Sequence, residues 1–431
     1  MHDFSYRDGQ LYCEDVPLLE LSARHGTPLY VYSAHTIREN FRRLDHALVG
    51  LDHRICFAMK ANSNLAVLDL LSREGAGFDI VSGGELFRVL KASGRADACT
   101  FAGVGKTRQE IEYAIREGVY SFNVESEAEL VFINEVAGAM GRKAPVALRV
   151  NPDVDAQTHK YISTGKSHNK FGIGLDRILG VYDAAAKLPH LVIRGIQTHI
   201  GSQILETNPF VEALQKLVPV VKELQSRHGI EFFSIGGGVG IVYHGALASG
   251  QASWWQQAEN KRISFEEYAA AVRPLLEDLS LKILLEPGRS LVGNAGVLLA
   301  DVLYIKQTPA KTFVVTDAGM NDLIRPALYE GHHEIVPLKE PTTEARRAPV
   351  DVVGPVCESG DFFAQDRELP ELAAGDTIAL LSSGAYGFVM ASNYNTRRLP
   401  AEILVDGSRA EVVRERQAWD DLVRGEKIPV R

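Results

Sequence analysis

Three residues able to do chemistry stand at the ends of short apolar runs. Lys60 follows residues 55–59, Glu286 follows residues 283–285, and His199 ends the run 193–199. A lysine amine held neutral by apolar walls is a nucleophile, and its commonest use is a Schiff base with a carbonyl group. A buried carboxylate needs a cationic partner, which Arg289 or a protonated ring nitrogen of a ligand can supply. Taken alone, Lys60 is also compatible with an ordinary lysine at a strand end, and His199 with a buried core histidine.

A glycine-rich turn adds a fourth chemical element. Residues 236–240 have the sequence GGGVG and follow the apolar run 232–235. Without Cβ atoms, backbone N–H groups can converge on a phosphate, although the same turn can serve as a connector without a ligand. An imine-forming lysine, a phosphate-binding loop, a flat face for stacking and a carboxylate for a ring nitrogen are together the requirements of pyridoxal 5'-phosphate.

The order of predicted elements brings these residues to one edge of a sheet. Between residues 36 and 290, helices alternate with candidate strands whose number is close to the eight βα units of a barrel. We therefore predict a (β/α)8 TIM-type barrel over residues 36–290, with a doubly wound sheet as the alternative. In both folds, ligands bind at the carboxyl ends of the strands.

The two ends of the chain have a different pattern. Residues 1–35 and 291–431 contain short alternating strands with turn signals, which predict an antiparallel β domain of sandwich or Greek-key type, completed by the N-terminal segment. The segment 244–262, with Trp254 and Trp255, is predicted to be a surface excursion or lid, and its role stays open.

Composition excludes several classes of function. The chain has 431 residues, of which 45% are hydrophobic and 23% charged, and its net charge is -9. These values predict a globular protein without a basic surface for nucleic acid or anionic lipid. No apolar run approaches the roughly 18 residues of a membrane span, and the N-terminus lacks signal-peptide features. We therefore expect a cytoplasmic protein with a small-molecule substrate and no nucleic-acid or membrane partner.

Cysteine and histidine spacing indicates neither a disulfide framework nor a metal site. Cys13, Cys56 and Cys99 are predicted to be small buried hydrophobic residues. The pair His332-His333 has no third ligand at metal spacing and is expected to face solvent.

Eight motifs, in order along nearly the whole chain, resemble those of the alanine-racemase-like (fold type III) pyridoxal-phosphate decarboxylases. They are FAMKAN at 57–62, FDIVSGGEL at 78–86, HIGSQ at 199–203, GGGVG at 236–240, EPGRS at 286–290, MNDLIRPALY at 320–329, CESGD at 357–361 and GAYG at 384–387. The segment KSH at 166–168 departs from the expected form, which leaves the role of that loop open.

The resemblance implies a set of cofactor-binding residues. By it, Lys60 forms the Schiff base, His199 stacks on the ring and Glu286 pairs with the pyridine nitrogen. Ser202, the glycine loop and Tyr386 bind the phosphate. The full implied set is Lys60, Asp79, His199, Ser202, Gly236, Gly237, Gly238, Glu286, Gly288, Arg289 and Tyr386.

The resemblance also implies how the reaction ends. Cys357 would donate a proton to the carbon that has lost CO2, across the interface of a homodimer with shared active sites. A polar, turn-rich loop surrounds Cys357, where a merely structural cysteine is less expected.

Substrate choice follows from the same resemblance. Arg289 and Arg325 match residues that bind a carboxylate at the non-reacting end of the substrate, the distal carboxylate. Glu358 matches the partner of an ammonium at the same end. Tyr329 and Tyr386 would complete the pocket. Ornithine and arginine decarboxylases of this fold bind no distal carboxylate and usually carry aspartate after the cysteine. The implied reaction is decarboxylation of meso-2,6-diaminopimelate at its D-configured centre to L-lysine and CO2, the last step of lysine biosynthesis.

Three alternatives stay open. The first is a decarboxylase of another diamino acid or carboxylated polyamine, against which the arginine clamp argues. The second is a racemase, which would not need Arg325 and Glu358. The third is a non-catalytic pyridoxal-phosphate carrier or regulatory homologue, against which the presence of both Lys60 and Cys357 argues.

Overall fold

A computed structural model describes residues 2–155, 170–260 and 262–430. The chain divides into two compact units. The barrel unit comprises Arg38–Ile241 and Arg262–Leu291, and the β unit comprises Met1–Ile37, Val242–Lys261 and Val292–Arg431. The predicted domain limits, 36–290 against 1–35 with 291–431, stay predictions. The loop at 166–168 lies outside the described residues.

The barrel unit is a closed ring of eight parallel strands. They are His53–Ala58, Gly77–Ile80, Cys99–Phe101, Ser121–Val124, Ala144–Asn151, Leu191–Gln197, Phe232–Ser234 and Lys282–Leu285. The last strand pairs with the first, Leu285 beside Ile55, which closes the ring. A two-residue strand, Ile173–Gly174, pairs with the end of the fifth. The predicted TIM-type barrel is therefore confirmed, and the doubly wound alternative was wrong.

Within the described part of the chain, nine α-helices accompany these strands, and five of them begin at a polar side-chain cap. The nine are Ala34–Ala47, Leu65–Arg73, Gly83–Lys91, Arg108–Glu117, Glu127–Ala139, Ile178–Ala185, Asn208–His228, Phe265–Leu276 and Arg289–Val292. The Asn64 side chain accepts the Ala66 N–H at 2.9 Å, and Ser82 likewise accepts the Glu85 N–H. Such caps satisfy backbone donors that a helix end leaves open, and they fix where each strand-end segment stops.

The β unit contains a three-stranded and a nine-stranded sheet. The small sheet has the strands Phe4–Arg7, Gln10–Cys13 and Val16–Pro17; the large one has Leu29–Ser33, Gly296–Gln307, Thr312–Thr316, Ile335–Pro337, Arg347–Val353, Phe362–Pro370, Thr377–Leu380, Ala401–Asp406 and Arg409–Arg414. The N-terminal segment thus completes this unit, as predicted.

The large sheet is mixed, which corrects the prediction of a purely antiparallel one. Leu29–Ser33 lies between Gly296–Gln307, to which it is antiparallel, and Ala401–Asp406, to which it is parallel. A second parallel pair joins Thr312–Thr316 to Arg347–Val353. Alternating polarity shows which face of a strand is buried but not the direction of its neighbour, so the sequence pattern could not reveal these pairings.

The remaining helices of the β unit are short. They are Leu18–His25, Ala252–Trp255, Arg325–Tyr329 and Trp419–Leu422. The predicted excursion belongs to this unit, and its Ala246 is fully buried in the apolar core there. Among the described residues, none of the helices combines the length and the apolar character that a membrane span requires.

Candidate active site

Lys60 lies at the carboxyl end of the first barrel strand. The strand His53–Ala58 passes into a single 3-10 turn, Met59–Ala61, in which Lys60 is the exposed residue between two buried neighbours. The chain at Gly288 approaches this turn closely, since a Cβ there would lie 3.1 Å from both the Ala58 oxygen and the Ala61 Cβ. Glycine at this position therefore lets the segment after the last strand pass directly beside Lys60.

Lys60 forms an ion pair with the carboxylate of Asp79. The Lys60 Nζ donates to Asp79 Oδ2 at 3.0 Å, and the side chains are 41% and 2% exposed respectively. The sequence analysis expected apolar walls around this amine and did not find its ion pair with Asp79. Asp79 Oδ1 is buried and has no hydrogen-bond partner among the described residues.

Glu286 is buried at the end of the last barrel strand and receives three neutral hydrogen bonds. Its Oε1 accepts from Ser234 Oγ at 2.8 Å and from Asn123 Nδ2 at 3.2 Å. Its Oε2 accepts from Gln197 Nε2 at 2.8 Å. The three donors come from three different barrel strands, so only closure of the ring brings them to one carboxylate.

The charge of Glu286 is not balanced by an ion pair among the described residues. Burial first, and then the negative charge of Asp79, raise the pKa of Glu286 to about 7. The sequence offered Arg289 as its partner, but Arg289 Nη2 donates to Ser202 Oγ at 3.2 Å. A protonated pyridine nitrogen fits this donor set, because a cation there would stabilise the ionised carboxylate.

The glycine loop is packed against the backbone around Glu286. A Cβ on Gly237 would lie 2.1 Å from the Glu286 carbonyl oxygen, and the Glu286 N–H donates to the Gly236 oxygen at 2.8 Å. Gly236 and Gly238 adopt φ of +72° and +118°. The loop therefore requires glycine both for close approach to neighbouring backbone and for left-handed conformation.

His199 is joined to this loop through its ring. The Gly237 N–H donates to His199 Nδ1 at 3.2 Å, so that nitrogen carries no proton. Burial, followed by the positive charges of Arg149 and Lys60, lowers the pKa of His199 well below its ordinary value. The imidazole is therefore a neutral aromatic face at the mouth of the barrel.

A buried ion pair supports the backbone at His199. Arg149 Nη1 donates to Glu125 Oε1 at 2.9 Å, and Arg149 Nη2 donates to the His199 carbonyl oxygen at 3.3 Å. The Gly172 N–H donates to the other oxygen of Glu125 at 2.9 Å. These contacts hold the segment that carries His199 without touching its ring.

In the β unit, Cys357 and Glu358 occupy an exposed loop. Cys357 is a free, exposed thiol, whereas the other three cysteines are buried as predicted. The Tyr394 hydroxyl donates to the Glu358 carboxylate. Asp361 Oδ2 accepts the Val356 N–H at 2.6 Å and fixes the base of the loop.

Arg325 and Tyr329 lie at the two ends of one short helix. Arg325 is buried and its Nη1 donates to His333 Nε2 at 2.6 Å, which makes the prediction of a solvent-facing His333 wrong. His332 is half-buried and stacks on His244, with ring centroids 3.6 Å apart. Tyr386 is half-buried and has φ of +56°, a conformation that a non-glycine residue adopts at a cost and often at functional positions.

The family of the chain is shown by comparison with known proteins. Residues 34–293 match the family described as pyridoxal-dependent decarboxylase, pyridoxal binding domain. The chain is 48% identical to the diaminopimelate decarboxylase of Pseudomonas aeruginosa over 429 residues, 99% of each chain. The chain belongs to the diaminopimelate decarboxylases. The corresponding protein of Aquifex aeolicus is 45% identical, over 97% of this chain and 96% of its own.

Solved diaminopimelate decarboxylases have the same fold. The Helicobacter pylori structure, complexed with L-lysine, superposes with a TM-score of 0.86 at 41% identity and covers 94% of this chain and 98% of its own. The M. jannaschii structure, also in complex with L-lysine, gives a TM-score of 0.90 at 36% identity over 100% and 99%. The resemblance read from the motifs is thereby confirmed at the level of the family.

Several polar residues that contact the candidate site residues within each unit, or pair with one that does, were not found from the sequence. They are Asn123, Glu125, Arg149, Gln197 and Ser234 in the barrel unit, and His333 in the β unit. The five barrel residues share a signal that could have revealed them, because each is a polar residue within the last three positions of a barrel strand or directly after it. His333 gave no such signal.

Proposed function

We propose that this chain binds pyridoxal 5'-phosphate in its barrel unit and decarboxylates meso-2,6-diaminopimelate at the D-configured centre, giving L-lysine and CO2. This would be the last step of lysine biosynthesis, and we expect it in the cytoplasm. The observation that carries the proposal is Glu286, a buried carboxylate with a raised pKa that is held by neutral donors beside the Lys60 turn. Solved relatives with L-lysine bound support the identity of the product.

Pyridoxal phosphate, when bound, supplies an aldehyde for covalent attachment of an amine and a ring that takes up the electron pair released with CO2. Lys60 provides the amine, and Asp79 holds that amine in place at 3.0 Å. Glu286 would keep a proton on the pyridine nitrogen, which increases the capacity of the ring to accept electrons. The neutral face of His199 would lie against the ring.

The phosphate is expected at the glycine loop that follows the strand Phe232–Ser234. The resemblance assigns Gly236, Gly237 and Gly238 to the phosphate. The Gly236 and Gly237 N–H groups donate to Ser234 Oγ and His199 Nδ1 in this structure, and Ser202 offers a hydroxyl oriented by Arg289. Gly288 keeps the neighbouring segment close to Lys60, and Tyr386 is assigned to the phosphate by resemblance alone.

The last chemical step needs a proton for the carbon that has lost its carboxylate. We assign it to the Cys357 thiol, which is exposed in the single chain and therefore available to a second copy. The assignment includes a homodimer in which each chain supplies Cys357 to its partner.

The substrate is proposed from the charges that would bind its non-reacting end. Arg325 and Arg289 would bind the distal carboxylate, and Glu358 the distal ammonium, with Tyr329 and Tyr386 beside them. Ornithine and arginine lack that carboxylate, so they would leave a buried guanidinium without its ligand.

The experiment is CO2 release by the purified, cofactor-loaded protein with meso-diaminopimelate, L-lysine, ornithine and arginine in parallel. We expect release from diaminopimelate only. Release from ornithine or arginine would overturn the substrate assignment and keep the cofactor. Cofactor absorbance without any release would favour the non-catalytic carrier.

A further inference from the structure

His333 is a fully buried side chain whose two ring nitrogens have different partners. Its Nδ1 lies 2.7 Å from the Leu381 carbonyl oxygen, and its exposed fraction is 0%. A carbonyl oxygen can only accept, so Nδ1 carries the proton and donates it to Leu381. This assignment fixes the tautomer and leaves a lone pair on Nε2.

The lone pair on Nε2 is directed at Arg325. Arg325 Nη1 lies 2.6 Å from His333 Nε2, and a guanidinium has donors only, so the arginine donates and the imidazole accepts. The imidazole in this arrangement is neutral. It therefore orients the guanidinium without cancelling its positive charge, as a carboxylate in the same place would do.

Tyr243 completes the support of the guanidinium. The Arg325 guanidinium carbon lies 4.6 Å from the centroid of the Tyr243 ring, and the same ring meets His333 edge-on at 5.5 Å and 82°. The aromatic face attracts the cation and also leaves its charge intact. Two of the groups that hold Arg325 are thus uncharged, His333 at its edge and Tyr243 at its face.

We propose that His333 is the positioning residue that orients Arg325 toward the carboxylate at the non-reacting end of the substrate. This inference rests on the proposed function, because it takes that carboxylate as the ligand of Arg325. His333 acts through Arg325, and it gains its effect from being neutral, buried and fixed in one tautomer.

Two amide variants separate the two ring nitrogens. His333→Asn keeps a donor near Nδ1 for Leu381 and removes the acceptor near Nε2. His333→Gln reaches the position of Nε2 with its amide oxygen and can still accept from Arg325. His332→Gln is the matched control, because His332 contacts His244 and Arg367 and makes no hydrogen bond to Arg325 among the described residues.

The readout compares two inhibitors that differ by one carboxylate. L-lysine carries the carboxylate and 1,5-diaminopentane lacks it, so the ratio of their inhibition constants reports the clamp alone. We expect His333→Asn to raise the inhibition constant of L-lysine by about 10- to 100-fold. The same variant should change the inhibition constant of 1,5-diaminopentane little. It should raise KM for diaminopimelate by a larger factor than it lowers kcat. His333→Gln should restore most of the L-lysine affinity, and His332→Gln should match the parent protein.

The outcomes distinguish the inference from the proposed function. Equal weakening of both inhibitors by His333→Asn, or no weakening of either, would overturn the role of His333. Failure of His333→Gln to restore L-lysine affinity would overturn it as well. If the parent protein releases no CO2 from diaminopimelate, the proposed function fails first. Cofactor absorbance and the melting midpoint of each variant show whether it is folded.

Discussion

Two buried carboxylates lie at equivalent places in the barrel, and their hydrogen-bond partners differ in charge. Glu125 and Glu286 each follow a barrel strand immediately, and they are 4% and 6% exposed. Glu125 pairs with Arg149 at 2.9 Å, so its charge is balanced within the chain. Glu286 receives hydrogen bonds from three neutral side chains. The difference teaches that burial alone does not mark a ligand site, whereas a buried charge held by neutral groups does.

The largest expected effect tests whether Lys60 anchors the cofactor that we place beside Glu286. Lys60→Ala removes the amine that would attach the cofactor covalently, so CO2 release should fall by about 10⁴-fold or more. The visible absorbance of the cofactor-loaded protein should change with it. An absorption spectrum identical to that of the parent protein would mean that the anchor is elsewhere.

The next test exchanges the charge of each carboxylate for an amide of the same shape. Glu286→Gln should lower decarboxylation by about 10²- to 10³-fold and leave the cofactor-free fold intact. Gln197 can adapt, because its Oε1 is buried without a hydrogen-bond partner among the described residues. The rate of CO2 release at saturating substrate measures the effect of Glu286→Gln.

Glu125→Gln is the matched partner of that variant. It leaves Arg149 buried without its carboxylate, so the free energy of unfolding should fall by about 3–5 kcal/mol in urea titrations. Should both variants lose stability alike, or both lose activity alike, the distinction between the two carboxylates would be wrong.

A smaller effect concerns pH and the cofactor-free protein. The pKa of Glu286 is raised to about 7 in the folded chain, against about 4.3 in the unfolded chain. The folded state therefore binds this proton more tightly, so the contribution of Glu286 to stability is fully present below about pH 4.3 and declines as the pH rises to about 7. The decline due to this group amounts to about 3 kcal/mol.

Glu286→Gln isolates that contribution. Urea unfolding of both cofactor-free proteins at pH 5 and pH 7.5 gives the difference, in which the other titrating groups cancel. We expect the parent protein to lose stability relative to the variant on going to pH 7.5. Parallel pH profiles would contradict the raised pKa.

The smallest expected effect concerns Cys357 in the β unit, an exposed residue, in contrast to the two buried carboxylates. Cys357 is exposed, so no burial argument marks it, and its role is assigned by resemblance. Cys357→Ala should keep cofactor absorbance and substrate affinity but lower turnover by about 10²-fold, because a positioned proton donor is lost. Single-turnover rates of CO2 release and of L-lysine formation measure it. Normal rates of both would remove Cys357 as the donor.

The sequence by itself determined the barrel, the strand ends that carry Lys60, His199 and Glu286, and the glycine loop. These follow from local patterns, since an apolar run of a few residues with a polar residue after it predicts a strand end wherever it occurs. The motifs added the family for the same reason, because each is a short contiguous stretch.

Only the tertiary structure decided what surrounds those residues. Asn123 and Glu286 are 163 positions apart and meet at 3.2 Å because the parallel strands close into a ring. Lys60 forms an ion pair with Asp79, which the sequence analysis did not expect. His333 is buried and accepts a hydrogen bond from Arg325. No local periodicity carries such contacts, since they depend on which strands become neighbours and on which buried polar atoms must then satisfy one another.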